Sequence, residues 1–184
     1  MLARAFLFLL DSLAGLLSLI LLLRFFMQTF RVSFVNPLGV FVNAATHWLV
    51  RPLRRVVPSV FGLDSASLLA AYLVQMLPLL AVLLFAALGS AYGDVLETPY
   101  TPIVFLLGQA LRSTLRLCAH LLIAALILRI IFSWFEVPSR IALPVSQLTR
   151  PLLAPIRRFL PPIGGIDLSP LVIILALEMI ILFV

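Results

Sequence analysis

The sequence is poor in charge, in cysteine and in enzyme signatures. Charged residues make up 11% of its 184 residues and hydrophobic residues 64%, whereas an ordinary soluble domain is roughly half apolar and a quarter charged. A soluble fold is therefore excluded, because too few polar side chains are available to cover its surface. The single cysteine, Cys118, excludes an internal disulfide and any cysteine-based metal or redox pair. No glycine-rich phosphate loop, H-E-x-x-H or G-x-S-x-G pattern occurs.

Lysine is absent as well, so all 13 basic residues are arginines, and the formal net charge is +6. Nucleic-acid-binding proteins cluster basic residues on one solvent-exposed face, but here the arginines lie between and within long apolar runs. Four of these runs are long enough, or nearly so, to cross a membrane as helices. They are residues 2–26, 65–88, 117–135 and 168–184. The sequence therefore predicts an all-α membrane protein with four transmembrane helices and no nucleic-acid partner.

The distribution of arginine predicts the orientation in the membrane. Four arginines lie between the first two apolar runs and four between the last two. They are Arg31, Arg51, Arg54 and Arg55, and then Arg140, Arg150, Arg157 and Arg158. The middle connection carries Asp94 and Glu97, with no basic residue before Arg112. By the positive-inside rule, both arginine-rich segments are expected in the cytoplasm and both termini outside, in the cytoplasmic (inner) membrane of a bacterium.

The chain also contains an internal duplication. The pattern Pro-x-Arg-Arg-x-x-Pro at 52–58 returns at 155–161, and the Gly-x-Asp that follows returns at the same offset of 103. A further pair of matching segments begins at Arg24 and Arg129, 105 residues apart. Each copy contains two spans, an even number, so the copies are expected to insert in the same orientation, as two parallel two-span repeats related by a rotation about the membrane normal.

The predicted organisation follows from the duplication. Residues 1–88 form the first repeat, residues 89–116 an outer loop and linker helix, and residues 117–184 the second repeat. In each repeat an Arg/Pro-rich segment joins the two spans and is expected to form an interfacial helical segment.

These duplicated motifs resemble the YggT family, called YlmG in some lineages, over essentially the whole chain. The residues that carry the resemblance are Arg24, Asn36, Pro37, Pro52, Arg54, Arg55, Pro58, Gly62, Asp64, Arg129, Pro155, Arg157, Arg158, Pro161, Gly165, Asp167, Ser169 and Pro170. The two copies differ at two places. The second copy has Ile-Ala-Leu-Pro at 141–144 where the first has Asn36-Pro37, and the first copy has Ser67 where the second has the proline of its Ser-Pro pair. The resemblance implies a role in envelope processes: haem attachment and nucleoid partitioning in plastid relatives, division and osmotic response in bacteria. It implies no enzymatic reaction.

The Arg/Pro-rich segment of the second repeat has an amphipathic pattern. Its apolar residues recur at spacings of three and four, and Arg150 and Arg157 fall on the opposite helical face. Because proline removes a hydrogen bond within a helix, Pro144, Pro151 and Pro155 predict two short helices, starting near Pro144 and Pro155, rather than a continuous one. Such a segment lies in the membrane interface and attracts anionic headgroups, either as a simple cytoplasmic anchor or as a docking surface.

Charged residues at matching depth suggest two ion pairs, Arg24–Asp64 and Arg129–Asp167. An arginine near a helix C-terminus and an aspartate near an N-terminus also complement the helix dipoles. The alternative is that the arginines snorkel to the interface and the aspartates are simple N-caps, with Ser169-Pro170 as a cap followed by the first helical residue. Both interpretations are structural, since nothing nucleophilic accompanies the pairs.

Four polar residues at matching positions of the two repeats lie in the predicted spans or, for Arg116, directly at the start of one. Gln75 and Glu178 are 103 apart and fall near mid-bilayer, where Glu178 is expected either to hold helices together by a hydrogen bond or to line a proton or ion path. Asp11 and Arg116 are 105 apart and can pair across the two halves. His120 is outside the shared motifs, and we expect no haem or other cofactor.

These observations favour a non-enzymatic scaffold or assembly, partitioning or stress-related factor of the membrane. The arginine pairs Arg54-Arg55 and Arg157-Arg158, set between prolines, are expected to form a basic surface for anionic lipid headgroups or for other envelope proteins. A homo-oligomer is compatible with this interpretation. The alternative function is a small transporter or channel component linked to osmotic stress, and a polar path lined by Gln75 and Glu178 would distinguish it.

Overall fold

Six α-helices form the computed structural model, which describes residues 2–58, 63–88, 102–135, 138–159 and 167–184. The helices are α1 (Leu2–Thr29), α2 (Pro37–Val56), α3 (Ser65–Ala87), α4 (Pro102–Trp134), α5 (Ser139–Phe159) and α6 (Ser169–Phe183). The described ranges contain no β-strand. The predicted all-α class is confirmed.

Three of these helices, α1, α3 and α4, are long and apolar enough to cross a membrane. The fourth predicted span corresponds to α6, which is apolar but has only 15 residues, or about 22 Å at the usual helical rise. The third predicted span is longer than expected, because α4 begins at Pro102 and continues without an internal proline for 33 residues. The predicted linker helix and the third span are thus parts of a single helix.

The prediction of two short helices in the second Arg/Pro-rich segment is wrong, because α5 is continuous through Pro144, Pro151 and Pro155. The three prolines are seven and four residues apart, so at about 100° per residue they lie on one side of the helix. The missing hydrogen bonds therefore fall on that side, while the rest of the ladder continues. The prolines disfavour a helix locally, but burial of Leu148 and Leu153 against the neighbouring helices stabilises it.

The helices pack in the same order in each half of the chain. α1, α2 and α3 contact one another, as do α4, α5 and α6, and the halves meet through α1 with α4, α2 with α5, and α3 with α4. The interface of α1 with α3 uses small residues, since Ala70 and Ala71 are fully or almost fully buried and Ser18 donates a hydrogen bond to the Ala71 carbonyl (3.3 Å). Small side chains let helix backbones approach closely, which is how helices associate in membranes.

The end of α1 is a Schellman turn. The Val32 N–H donates to the Met27 carbonyl (2.8 Å) and the Arg31 N–H to the Gln28 carbonyl (3.1 Å), while Arg31 takes a φ of 55°. Val32 is thereby buried in the same apolar cluster as Met27. The turn sends the chain back toward α2.

The motif residues Asn36 and Pro37 start α2. The Asn36 side chain is the N-cap and accepts a hydrogen bond from the Gly39 N–H (2.8 Å), and Pro37 occupies the first turn. A side chain at Gly39 would have its Cβ 2.5 Å from the Phe34 Cα, so only glycine fits. This explains the Asn-Pro pair as a helix start.

Candidate functional site

The first half of the chain contains a buried cluster around Asp64, whose side chain is only 2% exposed. Arg54 binds both carboxylate oxygens, from Nη2 to Oδ2 (2.7 Å) and from Nε to Oδ1 (3.3 Å). The Ser67 hydroxyl also donates to Oδ2 (2.6 Å), and Arg24 Nε lies 3.6 Å from the same oxygen. The predicted Arg24–Asp64 ion pair is therefore present, but Arg54 is the closer partner.

Arg24 also connects α1 to α2. Its Nη1 donates to the Thr46 hydroxyl (2.8 Å) and to the Asn43 side-chain oxygen (3.1 Å), and Thr46 in turn donates to the Val42 carbonyl (2.6 Å). Arg54 closes the cluster on its outer side, because its Nη2 also donates to the Gln28 Oε1 (2.9 Å). The cluster thus ties α1, α2 and the start of α3 together.

The second half repeats this arrangement. Arg157 binds Asp167 through Nε (3.0 Å) and Nη2, and the Ser169 N–H donates to the other Asp167 oxygen (3.0 Å). Arg129 Nη1 donates to the Thr149 hydroxyl (2.8 Å) and to the Ser146 carbonyl (3.1 Å). The duplicated sequence motif therefore corresponds to a duplicated set of contacts.

The predicted Arg129–Asp167 ion pair is not formed in the described structure; Asp167 pairs with Arg157 instead. Matching depth along the spans suggested Arg129, but the end of α5 places Arg157, only ten residues earlier in the chain, beside Asp167. The end of α2 places Arg54 beside Asp64 in the same way. In both halves the closest partner of the aspartate is thus the arginine ten residues before it.

The two clusters differ in how closed they are. The Asp167 side chain is 31% exposed, against 2% for Asp64. Ser133 stands at the position equivalent to Gln28, and its hydroxyl donates to the Ile130 carbonyl (2.7 Å) rather than contacting Arg157. Beside it a cleft of about 520 Å³ opens. The cleft is lined by Arg129, Ile130, Ser133, Trp134, Arg157, Asp167, Leu168, Pro170 and Leu171.

Both aspartates have pKa values below the ordinary value of a carboxyl group. Burial alone would raise the pKa of Asp64, but the hydrogen bonds from Arg54 and Ser67 and the arginine charges outweigh it. The pKa of Asp167 is lowered against the same desolvation, by hydrogen bonds from Ser169 and Arg157. Both carboxylates are thus ionised at neutral pH.

The two arginines of each adjacent pair make different contacts. Arg54 and Arg157 hold the aspartates, whereas Arg55 and Arg158 are exposed and form no ion pair with another described residue. Arg51 and Arg150 are exposed and unpaired in the same sense. We call these four residues (Arg51, Arg55, Arg150 and Arg158) the basic face.

The remaining motif residues are structural or lie outside the described ranges. Pro52 and Pro155 are inside α2 and α5, and the Pro58 carbonyl accepts a hydrogen bond from the Ser65 hydroxyl (2.7 Å). The N-cap of α6 is Leu168, so Ser169 and Pro170 form its first turn rather than a cap and first residue. Gly62, Pro161 and Gly165 are outside the described residues.

The polar residues within the spans do not come together. Gln75 is buried in α3, whereas Glu178 is exposed on α6. Asp11 and Arg116 are both exposed and, among the described residues, form no ion pair. Within the described ranges, no group of three His, Cys, Asp or Glu side chains is placed to hold a metal ion.

Sequence reasoning did not assign roles to Thr46, Thr149 and Gln28. The signal for the threonines was available, since Thr46 and Thr149 are 103 residues apart, the offset shared by the Pro-x-Arg-Arg pattern. Gln28 carried no such signal, because its counterpart Ser133 has a different side chain.

Fold and site together define a class: a helical membrane-type protein whose two halves each join two apolar helices and an amphipathic helix through an arginine–aspartate cluster. The chain belongs to the CCB3/YggT family, which matches residues 3–85 and 108–184. It is 37% identical over 174 residues to the uncharacterized protein YggT of Escherichia coli strain K12, covering 94% of this chain and 85% of that one.

Two further relatives show the range of the family. A protein of the proC 3' region of Vibrio alginolyticus is 37% identical over 172 residues, which is 93% of this chain and 88% of the relative. The chloroplastic YlmG homolog protein 2 of Arabidopsis thaliana is 43% identical over 54 residues, 29% of this chain and 22% of that one. No solved structure matches the chain.

Proposed function

We propose that this protein is a non-enzymatic scaffold or assembly factor of the bacterial cytoplasmic membrane. The observation that carries the proposal is the engagement of the duplicated polar groups in contacts between helices: Arg24, Arg54 and Thr46 hold α1, α2 and α3 together around Asp64. Side chains that are bound to one another in this way orient helices, which is a structural role. The protein then acts through its surfaces.

The proposed topology has four spans in two parallel repeats, with both termini outside and α2 and α5 at the cytoplasmic surface. α6 supports a fourth span because it packs on α4 and α5, as α3 packs on α1 and α2. Its length of 15 residues is short for a bilayer core of about 30 Å, and local thinning of the bilayer compensates for such a mismatch.

The basic face is the surface that we propose meets anionic headgroups or an envelope protein. Its four arginines project from amphipathic helices and are free of the ion pairs that hold Arg54 and Arg157. Each interfacial arginine contributes about 1 kcal/mol of attraction to an anionic leaflet, less when salt screens it. This revises the surface expected from the two arginine pairs.

The transporter alternative gains no comparable support. It required Gln75 and Glu178 to line a shared path, but one side chain is buried and the other is exposed on the outer side of α6. An exposed carboxylate at that depth fits a contact with another protein or a further copy of this chain better than an interior path.

Replacing all four basic-face residues with glutamine tests the proposal. We expect the variant to insert, to accumulate to the normal level and to fail to complement a strain that lacks the gene. The matched control replaces Arg4, Arg112 and Arg116, which are also exposed but lie in the N-terminal halves of α1 and α4, and it should complement. Full complementation by the basic-face variant would contradict the proposal.

A further inference from the structure

The cleft of the second repeat is the open counterpart of a site that the first repeat closes. In the first repeat, Gln28 bonds the outer edge of Arg54, and Asp64 is shared between Arg54 and Arg24. In the second repeat, Ser133 is too short to reach Arg157, and Arg157 is the one residue in the described ranges that forms an ion pair with Asp167. The Asp64 cluster of the first repeat can therefore be compared with the Asp167 cluster, to show which contacts are missing at the cleft.

The lacking element is an acceptor for Arg129. Its two hydrogen bonds both come from Nη1, so its Nε and Nη2 donate to no other described residue, and no described carboxylate lies within ion-pair distance. Among the described residues that line it, the cleft contains two guanidinium groups and one carboxylate, and these three groups sum to a net positive charge. A half-buried arginine that has lost hydration favours an anion beside it.

Arg157 adds a second donor edge to the same space. Its Nε and Nη2 hold Asp167, while Nη1 remains free within the described structure. The Asp167 oxygens already accept bonds from Arg157 and the Ser169 N–H, which lowers their repulsion toward an incoming anion. The Nε–Nη2 fork of Arg129 matches the geometry of a phosphate group, and Nη1 of Arg157 can donate to the same group.

The walls of the cleft suggest the source of that phosphate. Ile130, Leu168 and Leu171 make its sides apolar, and Trp134, 78% exposed, lies at its rim. Tryptophan is enriched at the headgroup level of membranes, and apolar walls beside a phosphate site fit acyl chains. A free phosphate ion would gain nothing from these walls.

We propose that this cleft binds the phosphate group of an anionic membrane lipid through Arg129 and Arg157, in the place where the first repeat closes with Gln28. The inference rests on the proposed placement of this end of the protein at the membrane surface. It goes further by assigning one specific lipid site to one repeat. The basic face contributes diffuse attraction, whereas the cleft selects a single headgroup.

The variant that tests the site is Ser133→Gln, which restores the side chain of the first repeat and leaves the charge unchanged. The longer side chain should accept a hydrogen bond from Arg157 and occupy the space beside its guanidinium group. Ser133→Ala is the matched control, because the Ser133 hydroxyl is already engaged with the Ile130 carbonyl and its loss leaves the cleft open. Arg158→Gln is the charge control, since it removes one basic-face charge outside the cleft.

The measurement is a titration of the purified full-length protein in a neutral detergent with dihexanoyl phosphatidylglycerol. A Trp48→Phe background leaves Trp134 as the only tryptophan, so its fluorescence reports on the rim of the cleft. Dihexanoyl phosphatidylcholine and inorganic phosphate are titrated in parallel. Circular dichroism establishes that each variant keeps its helix content.

We expect phosphatidylglycerol to bind at least tenfold more tightly than phosphatidylcholine or inorganic phosphate. Ser133→Gln should weaken this binding at least tenfold, with Ser133→Ala and Arg158→Gln changing it less than threefold. Equal binding by Ser133→Gln, or a larger loss in Arg158→Gln, would overturn the site in favour of diffuse attraction. Equal binding of inorganic phosphate would overturn the lipid assignment.

Failure of this site and failure of the proposed function are separable. The titration measures lipid binding at the cleft, whereas complementation by the basic-face variant tests the scaffold role in cells. A protein whose basic-face variant complements but whose cleft still binds phosphatidylglycerol would retain the site and lose the proposed function.

Discussion

Neighbouring arginines in this protein perform different tasks. Arg54 binds Asp64 through two nitrogens and also reaches Gln28, whereas Arg55 points outward. The same division separates Arg157 from Arg158. A sequence pattern of two adjacent arginines gave no means of telling them apart, because the choice depends on which helix face turns toward the aspartate.

This division predicts different stability effects for adjacent substitutions. Arg54→Gln should lower the free energy of unfolding by about 2 kcal/mol, because it leaves the buried Asp64 without its bidentate partner. Arg55→Gln should change it by less than about 0.5 kcal/mol, as for other exposed positions. Thermal unfolding of both variants in the same detergent measures the difference. Equal midpoints would show that Arg54 is not a structural tie.

The Asp64 cluster also predicts an acid dependence of stability. Because the pKa of Asp64 is lowered in the folded protein, its contribution is fully present above the unfolded-state pKa of about 3.9 and is lost as the pH falls through the lower folded-state value. Asp64→Asn should therefore be less stable than the parent at pH 7 and should lose less stability between pH 5 and 3. Unfolding midpoints across that range provide the measurement. A parallel decline in both proteins would contradict the assignment.

At the scale of the element, the helix ends are set by local chemistry that the sequence displays. The Asn36-Pro37 pair begins α2 with a side-chain cap, and this could be anticipated from the residue types. The continuity of α5 could not, because three prolines argue against a helix locally. Burial of Leu148 and Leu153 decided the outcome, and tertiary packing of that kind is not visible in a local pattern.

The end of α1 supplies a prediction at this scale. Arg31 holds the left-handed conformation that a Schellman turn requires, at a φ of 55°. Glycine takes this conformation without the steric penalty of a Cβ, so Arg31→Gly should raise the free energy of unfolding by about 1 kcal/mol. Arg31→Ala keeps the strain while removing the charge, and should show no such gain in the same unfolding experiment. A gain in both variants would assign the effect to charge.

The whole molecule is built from one contact scheme used twice. Arg24 with Thr46 is matched by Arg129 with Thr149, and Arg54 with Asp64 by Arg157 with Asp167. The sequence offsets were enough to predict the duplication and the apolar helices. They were not enough to predict that the second cluster is open. Its openness arises from the exposure of Asp167 and the short side chain of Ser133, and both effects depend on how three helices pack together.

We propose that the two halves insert in parallel, with α2 and α5 on the same side of the membrane. Ala44 and Gln147 test it well, because they are 103 residues apart, exposed, uncharged and on the arginine-bearing sides of the two helices. Each is replaced by cysteine in a Cys118→Ser background, with Asp94→Cys as the probe of the opposite side.

Labelling with a membrane-impermeant maleimide in intact spheroplasts and in inverted vesicles gives the answer. We expect the cysteines at 44 and 147 to react only in inverted vesicles and the cysteine at 94 only in spheroplasts. Reaction of positions 44 and 147 from opposite sides of the membrane would show that the halves are inverted and would rule out parallel insertion.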